Sequence, residues 1–407
     1  MEQASSIKII NARAITPHRI ISDGCVVIKD GKIQYVGTEN ADVPDATVVD
    51  AQGLYLAPGF IDLHVHGGGG HDFMDNTVAA YRAIAETHAR FGTTALCPTT
   101  LTAGKGDLLR TLEVYGNAAG QHTRGAQFVG LHLEGPYFAM NQRGAQDPKY
   151  IRNPDAGEYR EILAASPHIR RWSAAPELPG AMAFGRYLRS QGVLAAVAHT
   201  DAVYEDVVEA VENGYTLSTH LYSGMSGVTR RNCFRYAGVI EAAYLLDAMD
   251  VEIIADGVHL PAPLLKLVHK IKGPHRTALI TDAMRGAGMP PGKSVLGNKD
   301  TGLEVLIEDG VAKLPDRSSF AGSVATADLL VRNMVNLAGI CLADAVQMMT
   351  STPSRILGLQ DTKGTLAEGM DADVVLFDEE ITIKATFVNG TPVYLAEQFN
   401  LPRLHCY

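Results

Sequence analysis

Cysteine is scarce in this chain: five among 407 residues (Cys25, Cys97, Cys233, Cys341 and Cys406), scattered and odd in number. They form no Cys-x-x-Cys pair, and a reduced, cytoplasmic protein is the natural reading. Cys97 and Cys341 fall in a strand-like and a helix-like stretch, where a small core residue is the default. There is no basic run, and the formal net charge is −10. That argues against nucleic-acid or anionic-membrane binding and leaves only a local basic pocket for a phosphorylated metabolite. No apolar run approaches the roughly 20 residues that span a bilayer. The opening Met-Glu-Gln-Ala-Ser-Ser is polar and acidic, so no signal peptide is expected. Internal repeats and low-complexity segments are absent as well, and no Gly-x-Gly-x-x-Gly follows an early strand, which argues against a doubly wound dinucleotide fold.

What is present is a soluble globular balance, 46% hydrophobic and 20% charged. Short apolar runs recur at 59–66, 93–100, 128–135, 170–177, 194–200, 216–222, 251–259 and 276–282. Helical patterns separate them. The stretch 201–214 has Asp201 as a candidate N-cap, an apolar stripe and a terminal Gly214, and 76–92 reads similarly. Eight strands alternating with helices predict a (β/α)8 TIM barrel. The ends differ. Residues 7–56 and 365–395 alternate in β-type runs, and Asp30-Gly31 is a hairpin signal. Neither end is large enough for a good core alone, so both are expected to combine into one small β-sandwich. The implied divisions are 1–57, 58–358 and 359–407, with helices expected at 325–338 and 342–357.

The densest chemistry lies in Ala57-Pro-Gly-Phe-Ile-Asp-Leu-His64-Val-His66, followed by four glycines. Side chains alternate along a strand, so His64 and His66 face the same side. Two imidazoles at a strand end can clasp a divalent metal. Other runs end in polar residues too: Glu134, His199, His220, the Asp256–His259 pair and Asp282. In a barrel these ends share one face, where active sites lie. Imidazole with carboxylate suits Zn²⁺ first, with Fe, Mn, Co or Ni as alternatives, one or two ions per subunit. Such an ion lowers the pKa of a bound water to about 7, as metal-assisted hydrolysis requires. Asp282 is the candidate proton carrier to a leaving amine, and His259 could donate a hydrogen bond to substrate. His132 and Asp62 read as supporting residues inside the barrel. His18, His88, His122, His168 and His269 read as surface histidines.

These motifs resemble the amidohydrolase superfamily and, within it, the N-acetylglucosamine-6-phosphate deacetylase family. The general marks are Pro58 to His66 and Gly364-Thr-Leu-Ala-Glu-Gly-Met-Asp-Ala-Asp373. The narrower ones are Gly130-Leu-His-Leu-Glu-Gly-Pro136, Ala198-His-Thr-Asp-Ala202, Thr219-His-Leu-Tyr222, Ala255-Asp-Gly-Val-His259, Thr281-Asp-Ala283 and Ala321-Gly-Ser323. Many superfamily relatives use a carboxylated lysine on strand 4; here that run ends Ala-Ala-Pro-Glu177 and offers none. The resemblance implies Glu134, His199 and His220 as main metal ligands, a second ion on His64 and His66, and Asp282 as proton shuttle. It implies substrate contacts at Ala145, Gln146, Ser223, Gly224, Arg231, Asp256, His259, Phe320, Ala321 and Gly322. It also implies a homodimer in which Arg231 reaches a neighbouring site, and deacetylation of an amino sugar phosphate. Three places depart from the family pattern. Gln146 replaces a usual histidine, Ser223-Gly224 a usual Asn-Ala, and Arg231-Asn-Cys-Phe a usual Arg-Glu-Pro-Gly. The expectation is that sugar and phosphate contacts change while the metal set stays intact.

Overall fold

The computed structural model describes residues 6–38, 41–120, 124–397 and 399. His122 and Cys406 lie outside the described residues. Each of the eight apolar runs holds a parallel strand. They are β1 (Phe60–Val65), β2 (Thr93–Pro98), β3 (Leu131–Glu134), β4 (Ile169–Ala174), β5 (Leu194–Val197), β6 (Tyr215–Ser218), β7 (Asp250–Ile253) and β8 (Thr277–Leu279). Strands β3 to β8 pair in sequence as one six-stranded sheet, while β1 pairs with β2. Single parallel bridges, Thr99 to His132 and Val65 to Ala283, carry the curl from β2 to β3 and from β8 back to β1. Helices between the strands cover its outer face, which is why β1 and β2 are buried along their whole length. Among the described residues, no helix is long and apolar enough to cross a membrane.

Both chain ends share a second sheet. Strands Ile7–Ile15, Ile20–Lys29, Lys32–Gly37, Thr47–Asp50 and Tyr55–Pro58 join Val374–Phe377, Ile383–Val388 and Thr391–Leu395. The seam is the antiparallel pairing of Tyr55–Pro58 with Val374–Phe377. Asp30 and Gly31 both take positive φ (52° and 73°), as a two-residue hairpin turn demands. Ile9, Val26, Ile33, Leu56, Leu376 and Phe387 form a core separate from that of the parallel strands. A buried lysine also ties the ends together. Lys363 Nζ lies 2.6 Å from Asp373 Oδ2 and 2.9 Å from Asp371 Oδ2, and Lys32 from the N-terminal hairpin reaches Asp371 at 2.7 Å.

Several local expectations are corrected. Helix 201–214 begins at Tyr204, and its capping carboxylate is Asp206, which accepts from Val203 N; Asp201 instead accepts from Gln142 Nε2. The segment 342–357 is two helices, Leu342–Met349 and Ser351–Ile356, broken where Thr350 leaves helical geometry three residues before Pro353. Cys341 is exposed at the start of the first, not a core residue. His88 is buried, its Nε2 donating to Gly67 O at 2.9 Å. An unpredicted four-stranded antiparallel sheet (Gly292–Leu296, Leu303–Glu308, Val311–Lys313, Phe320–Ser323) lies between β8 and the last helices.

Replacing Lys363 by alanine would leave the buried Asp373 carboxylate without a cation and the partly buried Asp371 with Lys32 alone. Breaking such a buried cluster costs about 3–5 kcal/mol. Lys363→Ala is therefore expected to lower the thermal midpoint well beyond a surface control such as Lys293→Ala, measured by calorimetry.

Candidate active site

The polar residues at the strand ends converge. Glu134 closes β3 with its Oε1 3.0 Å from His220 Nε2, 3.4 Å from His199 Nε2 and 3.5 Å from His64 Nε2. Its Oε2 lies 3.5 Å from His66 Nε2. The two β1 imidazoles meet at 3.1 Å, and Asp282 Oδ1 stands 3.1 Å from His66 Nε2 and 3.4 Å from His64 Nε2. Two overlapping donor groups, His64–His66–Glu134 and Glu134–His199–His220, are compact enough to hold a metal ion.

Backbone geometry aims these groups. His199, His220 and Asp282 each follow a strand and take positive φ (46°, 31° and 49°), a region that costs a non-glycine residue roughly 1–3 kcal/mol. Hydrogen bonds hold them there: Ala139 N to His199 O at 2.8 Å, Ser223 N to His220 O at 2.9 Å and Ser323 N to Asp282 O at 2.8 Å. Rings are oriented from behind by carbonyls. His199 Nδ1 donates to Gln142 O at 2.7 Å, His220 Nδ1 to Ser223 O at 3.1 Å and His66 Nδ1 to Thr99 O at 3.3 Å. With Nδ1–H held by a carbonyl, Nε2 is the ring nitrogen left facing the common centre, the one a metal would take. Gly224 belongs to this scaffold: a Cβ there would sit 2.7 Å from His199 Nδ1 and 2.9 Å from Gln142 O. The space made by its missing side chain is taken by His199, not left for a ligand.

Burial opposes ionisation of Glu134, yet the imidazoles of His64, His199 and His220 hold its carboxyl well below the usual range. Asp282 is lowered in the same way by His64, His66 and His220 against its burial. Burial also pulls the histidines down, and for His64 it prevails. For His66 the Asp282 and Glu134 carboxylates prevail and push it up to about 9, and Glu134 raises His220.

The cavity above this cluster has a volume of about 260 Å³. Of the residues singled out from sequence, His66, Glu134, Ala145, Gln146, His199, His220, Ser223, Gly224, His259, Asp282, Phe320 and Gly322 line it. His64 is buried beneath. Asp256 sits behind His259, taking its Nδ1–H at 2.7 Å and its backbone N–H at 2.7 Å. Ala321 packs into the core of the antiparallel sheet with Met284 and Val305. Arg231 is not brought to the cavity; it lies on an exposed hairpin, Thr229–Arg231 with Phe234–Tyr236. Gln146 donates to Glu134 Oε2 at 2.7 Å, so this departure from the family pattern touches the cluster itself. Sequence reading missed a buried charge pair under His64: Arg171 bonds Glu252, whose Oε2 is 4.0 Å from His64 Nδ1, and also Thr219 Oγ1 at 3.0 Å. Charged residues inside runs that read as buried strands, Arg171 in β4 and Glu252 in β7, were the available signal. Asp62 accepts from Thr281 Oγ1 at 2.5 Å, and burial pushes its carboxyl up to about 7.

The amidohydrolase family pattern matches residues 55–400. The chain is 34% identical over 366 residues to an N-acetylglucosamine-6-phosphate deacetylase of Lysinibacillus sphaericus, covering 90% of this chain and 92% of that one. It is 33% identical over 380 residues to an N-acetylgalactosamine-6-phosphate deacetylase of Escherichia coli O157:H7, covering 93% and 97%. Among solved structures, a Mycobacterium smegmatis N-acetyl-D-glucosamine-6-phosphate deacetylase variant, in complex with N-acetyl-D-glucosamine-6-phosphate, superposes with a TM-score of 0.87. That match has 32% identity and covers 96% of this chain and 99% of that one. The chain belongs to the amidohydrolase family. It is a hydrolase acting on an amide.

In the metal-free cluster His66 is protonated at neutral pH, and a cation can take its Nε2 only by displacing that proton. Zn²⁺ uptake at pH 7 is expected to release about one to two protons per site. Affinity should rise with pH through about 9, where His66 is half deprotonated, and level off above it. Titration calorimetry in buffers of different ionisation enthalpy measures the release.

Proposed function

We propose that this chain removes acetate from N-acetylglucosamine 6-phosphate, leaving glucosamine 6-phosphate, at a divalent metal centre. The observation that carries the reading is Glu134, whose Oε1 meets the Nε2 atoms of His64, His199 and His220 within 3.5 Å beside the Asp282 carboxylate. The donor set fits a metal: buried, nitrogen and carboxylate oxygen, with the tautomers fixed from behind. Glu134, His199 and His220 would hold the main ion and His64 with His66 a second, zinc being the first choice. When bound, such an ion acidifies water and polarises an amide carbonyl.

Asp282, ionised at neutral pH, takes the proton of the attacking water as its oxygen bonds to the carbonyl carbon. It returns that proton to the nitrogen as the C–N bond breaks, so acetate and amine leave together. His259, held at Nδ1 by Asp256, presents Nε2 to the substrate. Ala145, Ser223, Gly224, Phe320 and Gly322 line the place of the sugar together with Gln146, whose amide is already engaged, and Ala321 stands behind it. Among the described residues, no lysine or arginine lines the cavity. We therefore assign the phosphate to Arg231 of a neighbouring chain in a homodimer, a reading supported by exposed Val228, Phe234 and Tyr236 around that hairpin. The curled parallel sheet is read as a (β/α)8 barrel spanning 58–358, and the sheet shared by 1–57 and 359–407 as a small β-sandwich. A cytoplasmic location goes with the free thiols.

A second reading keeps the chemistry and changes the sugar. The 33% identity to an N-acetylgalactosamine-6-phosphate deacetylase nearly equals that to the glucosamine enzyme, which favours weak discrimination between the epimers. Acetate release from N-acetylglucosamine 6-phosphate, its galactose epimer and the unphosphorylated sugars decides. The phosphorylated pair is expected to lead, and a clear lead for an unphosphorylated sugar would remove the phosphate assignment. Asp282→Asn should lower kcat by roughly 10²–10⁴ while substrate still binds. Mixed dimers of Arg231→Ala and Asp282→Asn chains should recover part of the activity; none would place Arg231 outside the neighbouring site.

A further inference from the structure

Gln146 lines the cavity and is bonded both to Glu134 and, through Thr102, to the surrounding fold. We propose that Gln146 is a positioning residue: its side-chain amide fixes the rotation of the Glu134 carboxylate and thereby strengthens metal binding. The proposal rests on the reading of Glu134 as a metal ligand. Gln146 is buried, and its Nε2 donates to Glu134 Oε2 at 2.7 Å. Its Oε1 accepts from Thr102 N at 2.8 Å and from the Thr102 hydroxyl.

A backbone N–H can only donate, so the amide cannot be turned end for end. The carbonyl must face Thr102, and the NH2 must face Glu134. Two consequences follow for recognition and for the metal. Both lone pairs of Oε1 are taken, so this side chain cannot accept a hydrogen bond from a sugar hydroxyl. Oε2 of Glu134 is pinned by the amide, which leaves Oε1 directed at His199 and His220 (3.4 and 3.0 Å). Partners of this kind behind a ligand typically change metal affinity or activity by about 10–100-fold.

Gln146 is also part of the wall between the active-site cavity and a second one of about 220 Å³, which share Leu101, Ala145 and Leu296. Truncation to alanine would merge the two. Gln146→Met keeps the bulk and removes both hydrogen-bonding ends. The test loads parent and variant with Zn²⁺, adds excess chelator and follows zinc release with a chromogenic dye, beside kcat and KM on the substrate chosen from the sugar panel. Gln146→Met is expected to release Zn²⁺ about 10–100-fold faster with KM within about twofold of the parent. Release at the parent rate, whatever happens to KM, overturns the proposal. If Gln146→Met does not fold, Thr102→Val loosens the same amide by removing one of its two anchors. A release several-fold faster is then expected, and an unchanged rate is again fatal. A parent that holds no Zn²⁺ would fell the metal-centre reading itself. A parent that holds Zn²⁺ but deacetylates no amino sugar phosphate would fell only the substrate assignment, and chelator release would still decide the role of Gln146.

Discussion

Glu134 is 2% exposed, and an isolated ionised carboxylate at that depth is costly by several kcal/mol even after the protein relaxes. It persists because cationic or hydrogen-bonding groups reach it from several strands at once. Glu134 and Asp282 are anions, and their carboxylates push His66 up to about 9 and raise His220. A divalent cation would answer the same two carboxylates. The site can therefore take a metal without leaving their charge uncompensated in the interior. That constraint explains the strained backbone at His199, His220 and Asp282, since a relaxed strand exit would turn these side chains away from the carboxylate they must meet.

The same logic extends one layer down. Beneath His64 lie Glu252 and Arg171, both fully buried, and Arg171 spends further donors on Leu63 O and Thr219 Oγ1. A buried ion pair of this kind adds little net stability relative to apolar packing, but removing one member is expensive. Its position suits it to fixing the orientation of the β1 histidine and not to strengthening the core.

Legibility in the sequence followed the range of the interactions. The eight apolar runs and the His-x-His pair are local patterns, and each strand lies where its run predicted. Asp30-Gly31 announced its hairpin, and Glu308-Asp-Gly310 carried the same signal between alternating residues for a hairpin that was overlooked. Asp201 looked like a cap because Asp is a good one, but Gln142, 59 positions away, takes its side chain. Arg171 and Glu252 are 81 positions apart, and nothing local in either strand names its partner. Gln146 showed as a departure from a family pattern, and only its bond to Glu134 reveals that the change reaches the histidine–carboxylate cluster.

Cluster and recognition surface are built from different parts of the chain. Every donor to the cluster sits on or just after a parallel strand, where pairing on both sides fixes it. The cavity walls come from the excursions between strands: Gly144 to Gln146, Tyr222 to Gly224 and Ser319 to Gly322. Such segments can change without unseating the strands. Gly224 and Gln146 are the exceptions, because each touches the cluster as well as the cavity, one by yielding space to His199 and the other by holding Glu134. Substitutions elsewhere in the walls can alter which sugar fits while the hydrolytic chemistry continues. At these two positions a substitution made to reshape the cavity also disturbs His199 or Glu134, so a change of substrate that passes through them carries a change in the cluster with it.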